Sequence, residues 1–169
     1  MKKIFTICTI LMFSSILFAQ KAGDKFPLAA YDYYDNPIST EIFSQNKITM
    51  INIWATYCTS CIEEMPALTK LENTYSSKGV EVIGLAFDVW QSENREAFES
   101  ILAKNEAYYL QLVPDYDNYA MTAIFPTLVG VPTTFFVDRN GRQIGEAYMG
   151  SKNYQEWAKL LDKLLAQQN

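Results

Sequence analysis

Two cysteines with a two-residue spacer are the residues of this chain best suited to chemistry. Cys58 and Cys61 stand in Trp54-Ala-Thr-Tyr-Cys58-Thr-Ser-Cys61, and the third cysteine, Cys8, lies near the amino terminus. Structural zinc sites use four Cys or His ligands in nearly every case, and the chain has no histidine. A disulfide across so short a loop restrains the unfolded chain little, which disfavours a structural role. The pair therefore indicates redox chemistry that needs no metal and no cofactor beyond the Cys58–Cys61 disulfide itself.

The elements around the pair assign different roles to the two sulfurs. An almost entirely apolar, β-rich run at 47–55 predicts a buried strand, and a helical pattern over 58–77 follows it. Cys58 then stands at the helix amino terminus, where free N–H groups and the helix dipole stabilise a thiolate. Cys61 lies three residues on, near the same face, from which it can attack a mixed disulfide. We expect Cys58 to attack and Cys61 to resolve.

Glu64 follows Cys61 by a further three residues and falls near the same helix face. A buried carboxyl there can exchange a proton with the Cys61 thiol, directly or through one water. The alternative is a solvated surface side chain, which is what most glutamates on helices are and what we expect of neighbouring Glu63. The spacing alone leaves both interpretations open.

The first nineteen residues have the pattern of a secretory signal peptide. Lys2 and Lys3 precede an uncharged, mostly apolar run, and Ala19 offers a small residue for cleavage. The alternative, an uncleaved membrane anchor, needs about 20 apolar residues, and this run is shorter. We therefore expect a signal peptide at 1–19, a single domain at 20–169, a periplasmic or otherwise extracytoplasmic location and no stable membrane insertion after cleavage. Cleavage takes the formal net charge from −5 to −7, which argues against nucleic acid as a partner.

The remaining patterns alternate between strand and helix. After the first strand and helix, we predict strands at 80–87, 108–113 and 133–137, and helices at 92–105 and 118–124. A turn at 138–141 leads into a returning strand at 143–149, and Ser151 is predicted to cap the last helix. This order predicts an α/β sheet with helices on both faces.

Two segments together resemble a known family. Asn52-Ile-Trp-Ala-Thr-Tyr-Cys58-Thr-Ser-Cys61-Ile-Glu-Glu64-Met-Pro66 is followed about 70 residues later by Gly130-Val-Pro132-Thr-Thr-Phe-Phe. Both segments, in this order, are similar to those of the TlpA/ResA-like branch of the thioredoxin superfamily, and the resemblance covers essentially the whole mature chain. It implies a thioredoxin fold, with a central mixed β-sheet flanked by helices, an N-terminal β extension and a helical insertion near 92–112.

The resemblance also implies roles for individual residues. Cys58 and Cys61 match the redox pair, and Glu64 matches a carboxylate that family members place near it. Asn52 stands where thioredoxins carry a buried aspartate, so Glu64 is the natural substitute. The substrate-facing surface is expected to include Trp54, Tyr57, Val131 and Pro132. Only ~5–6% of X-Pro bonds in folded proteins are cis, but the family holds the proline matching Pro132 in cis, where its backbone pairs with substrate.

The leading functional hypothesis is a reductase of disulfides in exported proteins, with cytochrome c precursors among the candidate substrates and a membrane-bound thiol as electron donor. A net oxidase or isomerase is the first alternative, because the Thr59-Ser60 spacer does not fix the reduction potential. A peroxiredoxin would need a peroxidatic cysteine in a Pro- and Thr-containing loop, which is not present before Cys58. The absence of histidine and the intact Cys pair argue against a non-catalytic binding module or metal chaperone.

Overall fold

The computed structural model describes residues 21–89 and 94–168. Within these residues, seven strands form one mixed sheet in the order β2-β1-β5-β4-β3-β6-β7. The strands are Ala29–Tyr31 (β1), Pro37–Ser39 (β2), Ile48–Trp54 (β3), Val80–Ala86 (β4), Leu110–Pro114 (β5), Thr133–Asp138 (β6) and Tyr148–Met149 (β7). The α-helices are Thr59–Tyr75 (α1), Arg95–Lys104 (α2), Tyr119–Thr122 (α3) and Tyr154–Ala166 (α4). In this part of the chain, no helix is both long and apolar enough to cross a membrane.

The centre of the sheet is the strand that precedes the cysteine pair. β3 runs parallel to β4 along its whole length and antiparallel to β6 on its other side, and all seven of its residues are buried. Because successive side chains point to opposite faces of a strand, β3 contributes to two separate cores. Met50 and Trp54 join one core, whereas Ile51 and Ile53 join the other.

Each face of the sheet is covered by a different set of elements. The core that contains both cysteines is filled from α1, α2 and α4, with Leu68, Phe98 and Trp157 fully buried. The opposite core takes Phe26 and Phe43 from the N-terminal segment and its 3₁₀ helix, and further residues from α3. The predicted α/β arrangement with both faces covered is confirmed.

The N-terminal β extension is an antiparallel hairpin at the edge of the sheet. β1 pairs with β2 and also joins β5, where Ala30 stands opposite Pro114. The segment between β4 and β5 supplies α2, whose Phe98 is fully buried against the core of the cysteine pair. Both additions to the central sheet that the resemblance implied are therefore found.

Some predicted boundaries differ from the structure. Asn153, rather than Ser151, caps α4, because its side chain accepts from the Glu156 N–H while the Glu156 carboxylate accepts from the Asn153 N–H. The predicted returning strand is also shorter: Gly145 has φ +71°, which interrupts the ladder, and only Tyr148–Met149 forms a strand. β5 begins two residues later than predicted. The predicted start of α2 at Ser92 lies outside the described residues.

Candidate active site

The cysteine pair lies where β3 ends and α1 begins. Cys58 and Cys61 form a disulfide with an S–S distance of 2.06 Å. Cys58 is the N-cap of α1, and its sulfur accepts a hydrogen bond from the Cys61 N–H at 3.2 Å. Cys58 retains 8% exposure, whereas Cys61 retains 1%. The sequence pattern predicted this junction, and Cys58 is the more exposed of the two residues.

A second loop faces the outer sulfur. The Val131–Pro132 peptide bond is cis, as the resemblance implied. The Val131 carbonyl oxygen lies 3.7 Å from Cys58 Sγ, although the two residues are 73 positions apart in sequence. The Pro132 carbonyl accepts from the Gly150 N–H at 2.8 Å, which fixes this loop to the chain that follows β7. Backbone groups of a buried strand end are thus held against the redox pair.

Glu64 is buried, with only 3% of its surface exposed. One carboxylate oxygen accepts from the Trp157 indole N–H at 2.7 Å and from the Lys152 backbone N–H at 2.7 Å. The other accepts from the Asn52 side-chain amide at 3.1 Å, which also donates to the Thr134 hydroxyl. The solvated alternative for Glu64 is therefore wrong. Its hydrogen bonds in the described structure go to these three donors and not to either sulfur.

The environment of this carboxyl has opposing effects on its protonation. Burial raises the pKa of Glu64 above its ordinary value, because a charged carboxylate loses solvation in the core. The three hydrogen bonds to its oxygens, and the positive charge of Lys152, act in the opposite direction without cancelling the effect. Glu64 is thus a buried acid that holds its proton more readily than a surface glutamate, three residues from Cys61 on α1.

Asp88 holds the loop that leads to Cys58. Its carboxylate accepts from the Thr56 backbone N–H at 3.0 Å and from the Thr56 hydroxyl at 2.6 Å. The Asp88 carbonyl oxygen accepts from the side chain of Asn94, the residue that precedes α2, at 2.7 Å. Asp88 therefore holds the redox loop through its carboxylate and the start of the helical insertion through its backbone carbonyl.

Trp54 and Tyr57 flank the pair in opposite ways. Trp54 is fully buried in the same core as both cysteines and stacks on Phe98, with ring centroids 5.8 Å apart, so it does not lie on the surface where we expected it. Tyr57 is 70% exposed and packs edge-on against Phe87. Phe87 in turn contacts Phe125, so Tyr57 is the outermost member of an aromatic cluster.

The surface on the other side of the proline loop is apolar. Val129 is 89% exposed and Met149 is 60% exposed. Beneath them lies an open cavity of about 220 Å³, lined by Thr127, Leu128, Val129, Thr133, Phe135, Ala147 and Met149. Exposed apolar patches of this kind mark binding sites more often than ordinary surface.

Comparison with known proteins agrees with this geometry. A family model described as Redoxin matches residues 21–159, most of the chain. The chain belongs to the Redoxin family. The thiol:disulfide interchange protein DsbE of Haemophilus influenzae is 30% identical over 142 residues, which cover 81% of this chain and 72% of that protein. The thiol-disulfide oxidoreductase ResA of Oceanobacillus iheyensis is 27% identical over 149 residues, covering 83% and 73%.

Solved structures show the same fold at lower identity. The thioredoxin domain of a thiol-disulfide oxidoreductase from Bacteroides vulgatus has a TM-score of 0.70 at 20% identity and covers 87% of this chain and 99% of that one. A putative DsbE from Chlorobium tepidum also has a TM-score of 0.70, at 22% identity, covering 89% and 100%. This Redoxin family member thus has the thioredoxin fold and is a thiol–disulfide oxidoreductase of the TlpA/ResA-like type.

Several residues of this Redoxin site were not singled out from the sequence. Trp157 was predicted only to lie on the last helix, and Asp88, directly after the predicted strand at 80–87, was given no role. A signal existed for each of them. A buried indole needs an acceptor for its N–H, and an aspartate directly after a buried strand needs donors. Their partners, Glu64 and Thr56, are 93 and 32 residues away, so only the fold identifies the pairs.

Proposed function

We propose that this protein reduces disulfides in exported proteins outside the cytoplasm, with Cys58 as the attacking thiol and Cys61 as the resolving thiol. The observation that carries the proposal is the asymmetry of the pair at the start of α1. Cys58 is the helix N-cap, lies beside the Val131 carbonyl and is the more exposed sulfur, whereas Cys61 is almost fully buried. An accessible thiolate at a helix amino terminus is the arrangement that attacks disulfides.

The reaction takes two exchanges. In the reduced enzyme the Cys58 thiolate attacks one sulfur of the substrate disulfide; a Cys58–substrate bond forms, the substrate S–S bond breaks and the first substrate thiolate leaves. The Cys61 thiolate then attacks the Cys58 sulfur, which breaks the mixed disulfide and releases the second substrate thiolate. The substrate gains two electrons, and the enzyme is left with the Cys58–Cys61 disulfide seen here. A membrane-bound thiol donor restores the dithiol by the reverse sequence.

Glu64 supplies the proton handling that this sequence needs. Cys61 must lose its proton before it attacks, and its burial disfavours the bare thiolate. A buried carboxyl with a raised pKa, one helical turn away, can take that proton and later return it. Asn52, Trp157 and Lys152 hold the carboxyl in place in the oxidised protein.

The apolar surroundings of Cys58 favour an unfolded or extended substrate segment. Its backbone pairs with the Val131–Pro132 segment as a short added strand, and its side chains pack on Tyr57, Val129 and Met149. Cytochrome c precursors, with a Cys pair in an extended segment, fit this description, and the DsbE and ResA names of the relatives are consistent with an exported thiol–disulfide enzyme.

The location depends on the leader at 1–19. We expect cleavage after Ala19, so mass spectrometry of the protein recovered from the periplasm or medium should give an amino terminus at Gln20. Recovery of the full-length chain in the membrane fraction would instead indicate that residues 1–19 are retained as a membrane anchor.

The reduction potential of the Cys58–Cys61 pair tests the direction of exchange. Equilibration of the purified domain with glutathione, followed by quantification of the thiols, gives the value. A reductase should lie near thioredoxin's potential of about −270 mV, whereas a net oxidase should lie near DsbA's value of about −120 mV. A potential near that of DsbA would contradict net reduction and indicate that the protein is a net oxidase.

A further inference from the structure

The buried indole before the redox loop is held by one side chain of β5. Trp54 Nε1 donates to Gln111 Oε1 at 3.1 Å, across 57 positions of sequence. Gln111 is 4% exposed and Trp54 is fully buried, so water does not compete for this hydrogen bond. Phe98 of α2 stacks on the indole with an interplanar angle of 17°. β5 and α2 together therefore fix both the ring plane of Trp54 and its rotation within that plane.

A glycine on the intervening strand makes the contact possible. A Cβ at Gly84 would stand 2.2 Å from Gln111 Oε1 and 2.8 Å from its Nε2. Both distances are far shorter than any real carbon contact, so a side chain at this position would push the amide away from Trp54. Gly84 pairs with Gln111 in the β4–β5 register, and β4 separates β5 from β3. The Gln111 amide thus reaches the Trp54 indole across β4, at the position where Gly84 has no side chain.

The amide group itself is an unfavourable choice for a core. Gln111 Nε2 makes no hydrogen bond of acceptable geometry with the described residues, and neither does the Tyr109 hydroxyl. Burial raises the pKa of that hydroxyl, and the Gln111 side chain beside it acts in the opposite direction. An unpaired buried donor destabilises the folded state. A methionine would fill the same space without burying an unpaired donor. The advantage of a glutamine at this position is therefore its acceptor oxygen, which binds the Trp54 indole N–H.

We propose that Gln111 is a positioning residue for thiol–disulfide exchange, which acts through Trp54 to fix the loop that presents Cys58. Trp54 ends β3, and only three residues separate it from Cys58. A rotation of the indole therefore moves the core surface on which this loop packs. It thereby changes how a substrate reaches the Cys58 sulfur. The inference concerns the exchange activity itself and does not depend on whether the enzyme acts as a reductase or an oxidase.

Two substitutions remove the hydrogen bond by different routes. Gln111→Met deletes the acceptor at nearly constant shape, and Gly84→Ala leaves Gln111 in place but displaces its amide. Hydrogen exchange of the Trp54 indole N–H, assigned with Trp54→Phe, reports whether the bond is lost. The rate of catalysed insulin reduction by dithiothreitol reports on exchange, and urea unfolding of each variant reports separately on stability.

We expect both variants to accelerate exchange of the indole proton and to lower kcat/KM for insulin by about tenfold, since a displacement of about 1 Å can cost a hundredfold. The double variant should lose no more than either single one, because both act on the same bond. Tyr108→Phe is the matched control: it removes an exposed tyrosine hydroxyl three residues from Gln111 and should match the parent in both measurements.

Unchanged insulin reduction by Gln111→Met, in folded protein whose indole proton exchanges rapidly, would overturn the proposal and leave Gln111 a structural residue. If Gln111→Met does not fold, Gly84→Ala decides by the same criterion, because the displaced atoms belong to the end of a flexible side chain. Loss of activity in step with loss of unfolding free energy, with Tyr108→Phe equally impaired, would also overturn it.

Discussion

Cys58 and Cys61 are neighbours on one helical turn, but their surroundings differ. Cys58 is the N-cap at the start of α1 and keeps some exposure to solvent, whereas Cys61 is enclosed by the core. In the reduced protein, iodoacetamide should therefore alkylate Cys58 well before Cys61, because only an accessible thiolate reacts quickly. Peptide mapping of partially alkylated samples measures both rates. Equal rates, or faster alkylation of Cys61, would contradict the assigned roles.

Glu64 is expected to couple to the titration of the thiols. Its carboxylate, once ionised, disfavours a nearby thiolate, so Glu64→Gln should move the thiol titration of the reduced pair to lower pH. It should also slow the resolution of mixed disulfides, since the amide cannot accept the Cys61 proton. Gln retains an acceptor for the Trp157 and Lys152 donors, and rotation of the Asn52 amide can restore the third hydrogen bond. The thiolate absorbance near 240 nm and stopped-flow turnover measure the two effects.

Glu63→Gln is the control for this experiment. Glu63 precedes Glu64 on the same helix but is exposed. Its substitution removes the same charge without touching the buried network. If both variants titrate and turn over like the parent, Glu64 has only a structural role beneath the site.

At the scale of elements, the loop between β3 and α1 is held by hydrogen bonds from Thr56 to Asp88, which follows β4. Thr56→Val keeps the side-chain shape but removes the hydroxyl that donates to Asp88 at 2.6 Å. A hydrogen bond to a charged group contributes about 1.5–3 kcal/mol, and because this one is only partly buried the free energy of unfolding should fall by the lower part of that range. Urea denaturation of the oxidised protein measures the change.

Thr56→Ser should restore most of the lost stability, because it returns the donor. Thr59→Val is the surface control, since Thr59 is exposed and its substitution should change the free energy of unfolding by no more than about 0.5 kcal/mol. An unchanged unfolding free energy for Thr56→Val would show that the hydroxyl can be replaced by solvent and that Asp88 holds the loop through the backbone alone.

The sequence predicted elements better than contacts. The apolar run that became β3 and the helix beginning at Cys58 were predicted because burial and helix periodicity are local patterns. The cap of α4 was misplaced because Ser151 and Asn153 are both suitable N-caps, and only the backbone geometry chooses between them. The sequence left open whether Glu64 is buried or solvated, because its burial depends on Trp157, which lies on the last helix.

At the scale of the whole molecule, three buried or half-buried glutamates among the described residues have raised pKa values. Burial raises the pKa of Glu64 and Glu72, and burial with the charge of Glu72 raises the pKa of Glu81 to about 7. Each folded-state pKa lies above its ordinary value, so the folded protein binds protons more tightly than the unfolded chain. Their contribution to stability is therefore present below about pH 4.5 and is lost as the pH rises, for Glu81 through about 7.

Glu81→Gln should abolish its part of this dependence. The Asn46 amide that donates to Glu81 can donate to the new amide oxygen instead. The variant should match the parent near pH 4.5 and exceed it at pH 8 by on the order of 1–2 kcal/mol, after allowance for solvent screening. Urea denaturation at both pH values measures this, with exposed Glu41→Gln as the control. Equal stabilities at pH 8 would contradict the raised pKa.

The central claim, that exchange proceeds through a mixed disulfide on Cys58 that Cys61 resolves, has a direct test. The reduced Cys61→Ala and Cys58→Ala variants are incubated with a peptide disulfide. The reaction is quenched with acid, and the intact mass of each protein is measured by mass spectrometry. Cys61→Ala should accumulate one peptide on Cys58 and hold it, whereas Cys58→Ala should accumulate little, because the buried Cys61 is out of reach. Rapid, stable accumulation on Cys61 in the Cys58→Ala variant, with none on Cys58 in the other, would contradict the account.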